Sequence, residues 1–303
     1  MARNQKSDIF YTRYEDIKKE VEWHKEHFKG QRVLSPCDDP EKSNFSKFFL
    51  DNFDNLGLES FTATCFNPNP GGKGRGMVKT REKVTFFDLE GNGDFRSDEI
   101  RAFRDNSDII VTNPPFSLFQ DFVTFCLPKK FLALGSNIAP NLKTIFPLFQ
   151  SGEVYYGASH RTGRMYFYPG DGMEHYGTEK KYDEDGNVMF GLGNVRWFTN
   201  MENRIITPPL KTMEEKRQES WRIYKNPKAY RKYDNFDALE VPSINAIPGD
   251  YNGVMGVPIN YFDKHDPELF EVLGMKAGLT IDGGSIFKRF LIQRKNRWEL
   301  SAF

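Results

Sequence analysis

Asp108-Ile109-Ile110-Val111-Thr112-Asn113-Pro114-Pro115-Phe116 is an apolar run that stops abruptly at two prolines. Its β-branched residues, Ile109, Ile110, Val111 and Thr112, suit a strand buried in a parallel sheet. Pro114 and Pro115 then forbid both strand pairing and helix, so the chain must leave the sheet along a rigid path. In an open α/β sheet, a loop at the carboxyl end of a strand overhangs the ligand crevice. There, an Asn oxygen and a rigidly presented carbonyl can accept both hydrogens of an exocyclic amine such as that of adenine. The lone pair, otherwise delocalised into the ring, is then localised, and a planar Phe alongside can stack on the base. With Pro at about 5% of residues, chance supplies this tetrapeptide in a chain of this length on the order of once in a thousand. The competing reading is a Pro-rich strand exit without chemical meaning.

Outward from this strand the pattern alternates. A helix is expected from about Ile9 to Phe28, after a frayed basic tail at 1–8, and a short strand at Val33–Cys37. Asp39-Pro40-Glu41 reads as a helix start, with Asp39 as cap and Pro40 in the first turn. Phe45, Phe48, Phe49 and Phe53 continue one helix face, and Gly57 ends it. Strands follow at Ser60–Phe66 and Val84–Phe87, a helix from about Ser97, then the Asp108–Thr112 strand. Phe119, Phe122, Val123 and Cys126 mark the next helix face, and Phe131–Leu134 another strand. Strands alternating with helices in this way imply a mainly parallel, helix-covered sheet.

Beyond about residue 150 the texture changes, which divides the chain into a catalytic core over 1–150 and a remainder over 151–303. Arg196-Trp197-Phe198 is the clearest strand there. Residues 196–232 carry ten Lys/Arg against four Asp/Glu, with Trp197, Trp221, Tyr224 and Tyr230 interleaved. Such a mixture can grip phosphates and stack bases, although a charge run alone is usually a solvated face. Residues 234–271 are acidic, with eight acids against Lys264.

Composition excludes more than it selects. The chain of 303 residues has 42 Lys+Arg and 42 Asp+Glu, so its net charge of zero argues nothing for nucleic acid unless a basic face is local. Cys37, Cys65 and Cys126 lack metal spacing and fit a reducing cytoplasm. The five histidines form no metal pattern. No run approaches the roughly 20 apolar residues of a membrane span, and the polar start is no signal peptide. Gly72-Lys73-Gly74-Arg75-Gly76 follows Pro-Asn-Pro and leads toward a strand. A phosphate cradle should instead join strand to helix, so a flexible basic surface loop is expected.

Two further sites complement the Asn113 loop. Ser35-Pro36-Cys37-Asp38-Asp39-Pro40 occupies the first strand-to-helix turn, where doubly wound folds bind ligands. S-adenosylmethionine has no pyrophosphate and needs no glycine cradle. Its sulfonium and amino group are cationic, so carboxylates at Asp38 and Asp39 can attract it. Asp94-Phe95 sits at another strand exit, where a carboxylate beside an aromatic can hold an adenine. The plainer alternatives are a helix cap at Asp39 and a turn residue at Asp94.

Together these residues resemble the amino-methyltransferases that use S-adenosylmethionine, whose catalytic motif is Asn/Asp/Ser-Pro-Pro-aromatic. More narrowly, the chain resembles the EcoRI adenine-specific DNA methyltransferase family. The resemblance runs through Phe10-Tyr11-Thr12, Cys37-Asp38-Asp39-Pro40, residues 52–58, Gly93-Asp94-Phe95-Arg96-Ser97 and Asp108 to Phe119. It continues in Tyr176-Gly177-Thr178-Glu179, Lys232-Tyr233-Asp234-Asn235 and residues 250–258. It implies an α/β, Rossmann-like class I S-adenosylmethionine-dependent methyltransferase sheet with a C-terminal target-recognition region. It also implies methylation of adenine N6 in duplex DNA, in restriction-modification or protection of phage or host DNA.

By position, Asn113, Pro114, Pro115 and Phe116 are the catalytic loop, with Asn113 and the Pro114 carbonyl on the amine and Phe116 on the flipped base. Cofactor contacts fall to Tyr11, Thr12, Pro36, Cys37, Asp38, Asp39, Asp94, Phe95 and Asn113. The family-wide Phe-x-Gly-x-Gly motif is absent at Asp38, and no acid follows Phe66 to take the ribose. Arg196, Arg222, Lys225 and Arg231 are the expected DNA contacts. The implied cofactor is S-adenosylmethionine without a metal; the implied partners are double-stranded DNA, no membrane, and a cognate restriction endonuclease acting separately. A monomer or weak dimer is expected. Cytosine N4, a protein glutamine, and a catalytically silent DNA-binding relative stay open as alternatives.

Overall fold

The computed structural model describes residues 10–160, 163–170, 179–201 and 210–295. The tail at 1–8 and the Tyr176-Gly177-Thr178 part of the family resemblance lie outside the described residues. Two compact units divide the chain, Met1–Ala139 with Val154–Asn203, and Pro140–Glu153 with Arg204–Phe303. The chain therefore crosses between units three times.

The first unit contains strands β1 (Phe10–Thr12), β2 (Arg32–Ser35), β3 (Ser60–Cys65), β4 (Arg75–Lys79), β5 (Val84–Asp88), β6 (Ile109–Thr112), β7 (Lys130–Ser136), β8 (Tyr155–Tyr156), β9 (Met165–Pro169), β10 (Lys180–Tyr182), β11 (Val188–Leu192) and β12 (Val195–Thr199). Its helices are α1 (Tyr14–Trp23), α2 (Asn44–Asp51), α3 (Asp98–Asp105) and α4 (Phe119–Cys126). Eight strands form one sheet in the order β5-β4-β3-β2-β6-β7-β12-β8. The central pairs β3–β2, β2–β6 and β6–β7 are parallel, and the flanking pairs are antiparallel. The strand–helix alternation predicts a mainly parallel sheet, but the sheet is mixed, with three parallel pairs at its centre and four antiparallel pairs at its flanks; the α/β sheet that the family resemblance implies is the frame of this unit.

Both faces of the central strands are apolar, as parallel strands covered on two sides require. Val33, Ile109, Val111, Leu132 and Leu134 share one core cluster with Ile17 and Val21 of α1 and Phe45, Phe48 and Phe49 of α2. The alternate residues Leu34, Ile110, Phe131 and Ala133 are also buried, on the face where Phe119 of α4 packs edge-on to Phe198. Each such Phe contributes about 1.5–3 kcal/mol by leaving water. Truncating fully buried Phe49 to Ala should cost about 3–5 kcal/mol.

Three local expectations are corrected. Residues 10–12 are not helical but extended, pairing with Phe167–Pro169 of β9 in a four-stranded antiparallel sheet, β1-β9-β11-β10. Their alternation of buried Phe10, half-buried Tyr11 and buried Thr12 is that of a strand. Asp39 does not cap α2. Its Oδ1 accepts from the Glu41 and Lys42 backbones, at 2.9 and 3.1 Å, to close a turn, and Ser43 caps the helix by accepting from Phe45 N. The glycine-rich segment is tighter than a free loop. A side chain at Gly76 would collide with the Phe87 ring, and Arg75 already belongs to β4.

The second unit holds α5 (Phe146–Ser151), α6 (Met213–Glu219), α7 (Trp221–Tyr224) and strands β13 (Lys232–Tyr233), β14 (Phe236–Glu240), β15 (Met255–Val257), β16 (Phe270–Lys276), β17 (Leu279–Ile281), β18 (Gly284–Ile286) and β19 (Arg289–Arg294). Five of the strands make the sheet β13-β14-β15-β19-β16, and β17 pairs with β18. Within this unit, Arg289 and the Tyr233 hydroxyl satisfy the buried Glu240 carboxylate, which explains how an acid lies in an apolar setting.

Candidate active site

After β2 the chain proceeds to β3 on one side of the sheet, and after β6 to β7 on the other. The gap between β2 and β6 is thus a topological switch point, where ligand crevices form. At its amino end the pair is clamped by Asp108, whose carboxylate accepts from Arg32 N, Nε and Nη2 at 2.8–3.0 Å. Further along, Ser35 Oγ donates to the Val111 carbonyl at 2.5 Å. The two exits, fixed side by side, open into a cleft of about 220 Å³.

Asn113 enters this cleft from the β6 exit. Its Nδ2 donates to the Phe10 carbonyl at 2.8 Å. A carbonyl can only accept, so this bond sets which way the amide faces. The opposite atom, Oδ1, is buried without a hydrogen-bond partner among the described residues. Pro115 lines the cleft, Pro114 is buried, and Phe116 is half-buried against the core cluster. Strand β1 therefore serves the site twice: Phe10 orients Asn113, while Tyr11 and Thr12 form part of the wall. Thr12 Oγ1 is a second buried polar atom without a partner among the described residues.

Pro36, Cys37, Asp38 and Asp39 line the cleft from the β2 exit. Asp38 is almost wholly buried. Its Oδ1 accepts from Ser43 Oγ at 2.7 Å, its Oδ2 from Thr112 Oγ1, and the Asn113 backbone N–H also donates to it. Burial nonetheless pushes its pKa up to about 6, with the three hydrogen bonds pulling against that rise. Burial and the carboxylates of Asp38 and Asp94 push the Cys37 thiol well up, so it is no ready nucleophile.

Asp94 and Phe95 also line the cleft. Gly93 brings them there with φ +80°, and a Cβ at this position would lie 2.3 Å from the Cys65 carbonyl. The Asp94 carboxylate accepts from Arg96 N, Nε and Nη2 at 2.7–3.0 Å, and the guanidinium holds its carboxyl below the usual range. Phe95 is buried edge-on to Phe122 and Phe125. All nine residues expected to contact the cofactor thus border one cleft. Sequence reasoning missed Phe66 and Pro68 beyond β3, Arg96, and Ser117 and Leu118 beyond the prolines. Phe66 was legible as an aromatic immediately after a strand at the crevice side. Arg96 was legible as a cation two residues from Asp94.

The expected DNA contacts are not alike. Arg196 is only 4% exposed, in β12, and its guanidinium donates to the carbonyls of Gly163, Gly193 and Val195. An arginine used within the fold in this way does not fit the surface contact expected of it. Arg222 and Lys225 are exposed, and Lys225 Nζ lies 4.3 Å from the centroid of the Trp221 ring. Trp221 and Tyr224, 69% and 65% exposed, stack with centroids 6.4 Å apart. Arg231 is exposed but paired in bidentate fashion with Asp282. Among the described residues, no group of three His, Cys, Asp or Glu side chains can hold a metal, and no helix is long and apolar enough to cross a membrane.

The family described as adenine-specific methyltransferase EcoRI matches residues 1–83 and 72–299. The chain belongs to this family. The methyltransferase is 36% identical to the type II methyltransferase M.EcoRI of Escherichia coli, over 97% of this chain and 95% of that protein. It is 36% identical to M.MpnI of Mycoplasma pneumoniae and 33% to M.MgeORF184P of Mycoplasma genitalium, in each case over 91% of this chain and 85% of the relative. No solved structure matches it.

Proposed function

We propose that this methyltransferase methylates N6 of adenine at a specific sequence in duplex DNA, using S-adenosylmethionine. The observation that carries this reading is the buried Oδ1 of Asn113, without a partner among the described residues and opposite the Nδ2 that donates to Phe10. A buried acceptor left open costs about 1–3 kcal/mol, which a substrate N–H offsets when it arrives. Asn113 Oδ1 and the Pro114 carbonyl accept the two amine hydrogens and so localise the nitrogen lone pair. Phe116 stacks on the base. A base paired inside a duplex cannot reach the cleft, so the adenine is flipped out, at a cost of a few kcal/mol. Binding of the duplex repays that cost.

The cleft fits S-adenosylmethionine in chemistry. Phe66, Phe95, Pro36 and Pro68 supply flat and apolar walls, Asp39 and Asp94 supply negative charge, and Thr12 Oγ1 supplies an open hydroxyl. When bound, that cofactor supplies an electrophilic methyl group. Asp94 with Phe95 takes its adenine, and Tyr11 and Thr12 close over its methionine end. The protein's own contribution is to hold the amine nitrogen in position and to exclude water, which is positioning catalysis.

Residues 1–150 provide most of the cofactor and catalytic machinery, and the region beyond supplies target recognition. In the latter, Arg222 and Lys225 contact phosphates beside the Trp221–Tyr224 pair, whose exposed rings suit base or sugar contact. Arg231 contributes less because Asp282 already neutralises it. The protein acts in the cytoplasm as a monomer or weak dimer, and a cognate restriction endonuclease works separately.

The test is expression in a host without adenine methylation, followed by single-molecule sequencing of its DNA. One short sequence carrying N6-methyladenine at nearly every occurrence is expected. Unmodified DNA from cells containing folded protein, or N4-methylcytosine in place of methyladenine, would overturn the reading.

A further inference from the structure

Asp38 lies in the cleft, yet both of its oxygens face the protein. Oδ1 accepts from Ser43, the cap of α2, and Oδ2 accepts from Thr112, the last residue of β6. The Asn113 N–H reaches the same carboxylate. From its own backbone, Asp38 N donates to the Thr64 carbonyl of β3 at 3.0 Å, so its main chain is anchored independently. The carboxylate thus joins the start of α2 to the residue that carries the open Oδ1. The bond from Asn113 Nδ2 to Phe10 is the second anchor of that residue, and Asn44 Nδ2 ties the same α2 start to the Thr12 carbonyl at 2.8 Å.

We propose that Asp38 is a positioning residue for methyl transfer, whose carboxylate holds Thr112 and the Asn113 backbone and so fixes where the Asn113 amide stands. This rests on the assignment of Asn113 as the amine acceptor. It replaces the expectation that Asp38 attracts the cofactor's positive charge directly.

Three considerations separate holding from ligation or packing. A carboxylate accepts from all three donors at once, and charge-assisted bonds are roughly twice as strong as neutral ones. Asn at this position keeps the shape but turns one oxygen into a donor facing a hydroxyl. Next, burial raises the Asp38 pKa to about 6, above the unfolded value of about 4. The folded state therefore binds this proton more readily than the unfolded chain, and this group's contribution to stability falls as pH rises from about 4 to about 6. At pH 7 the charge opposes folding, so its value lies in what it holds. Finally, the titratable groups facing it are Asp39 and Cys37 beside it and Cys65 at the end of β3, with Asp94 across the cleft against Cys37. Of these, Asp39 pushes Asp38 toward its neutral form.

The experiment compares wild type with Asp38→Asn, Thr112→Val, their double variant and Asn113→Ala. Methyl transfer is measured on plasmid DNA from a methylation-deficient host, S-adenosylmethionine affinity by calorimetry, and the melting temperature at pH 7. Asp38→Asn should lower kcat at least tenfold, leave cofactor Kd within about threefold, and melt no lower than wild type. Thr112→Val should lower kcat in the same direction, and the double variant should be no worse than the poorer single one, since both substitutions break the same hydrogen bond. The acidic limb of the wild-type kcat profile should disappear in Asp38→Asn. Weakened cofactor binding with kcat preserved, multiplied effects in the double variant, or a fall in melting temperature matching the fall in kcat would each overturn the proposal. Turnover surviving in Asn113→Ala would instead indict the catalytic assignment itself, whatever Asp38 does.

Discussion

The exits of β2 and β6 stand side by side at one switch point, yet their polar atoms are used in opposite ways. At the β2 exit nearly everything is satisfied: Asp38 accepts from Ser43 and Thr112, and Asp39 closes a turn on Glu41 and Lys42. At the β6 exit Asn113 spends its donor on Phe10 and keeps its acceptor open. Buried polar groups in folded proteins are almost always paired, so an open acceptor at the wall of a cleft is a candidate to meet a ligand donor. In the proposed mechanism one exit holds and the other reacts, with the Asn113 amide placed by Phe10, Thr112 and Asp38.

That contrast can be broken at several points. The largest effect should come from Asn113→Ala, which removes the open acceptor. Turnover should fall on the order of a thousandfold, the scale of losing one preorganised hydrogen-bonding group at a reacting centre. Cofactor affinity should stay within a few fold, and radiolabelled methyl transfer with calorimetry checks both. Asp94→Ala should do the reverse, weakening S-adenosylmethionine by a factor of about ten to a hundred, the value of roughly 1.5–3 kcal/mol for one charge-assisted bond. An unchanged titration would make Asp94 only the partner of Arg96.

Smaller effects sharpen the division between reacting and holding parts. Neutralising Arg222 and Lys225 should flatten the log–log salt dependence of DNA binding by about 0.9 for each phosphate no longer neutralised. Adding Arg231→Ala should change the slope less, because Asp282 already occupies that guanidinium. Smallest is Asp108→Asn, at the clamp between β2 and β6. The Arg32 guanidinium holds the Asp108 carboxyl below its ordinary value. Its stabilisation is therefore present above the unfolded pKa of about 4 and lost as pH falls through the folded value. The variant should melt about 1–3 °C lower at pH 7, with the gap closing below about pH 4.

How far the sequence carried these conclusions varies with the range of the interactions involved. β6 and its proline exit were legible because β-branched runs and prolines act locally. So were β3, β5 and β7, each a compact apolar run. β1 was not, because Phe10–Thr12 is only three residues long and becomes a strand through pairing with Phe167–Pro169, far along the chain. The α2 cap was misplaced because Asp39 and Ser43 are both good capping residues, and only the turn closed by Asp39 decides between them. Arg196 was read as a DNA contact because it opens a run rich in Lys and Arg. Its burial depends on carbonyls of Gly163 and Gly193 that no local pattern reveals. The open state of Asn113 Oδ1 likewise depends on Phe10, a partner 103 residues away.

The central claim is tested most directly by mass spectrometry of nucleosides from duplex DNA incubated with S-adenosylmethionine and either wild-type protein or Asn113→Ala. Wild type should yield N6-methyladenine as the sole new methylated base, and the variant should yield essentially none despite binding the cofactor. Methylated adenine from the variant at wild-type rate, or N4-methylcytosine from either protein, would contradict an Asn113-centred adenine methyltransferase.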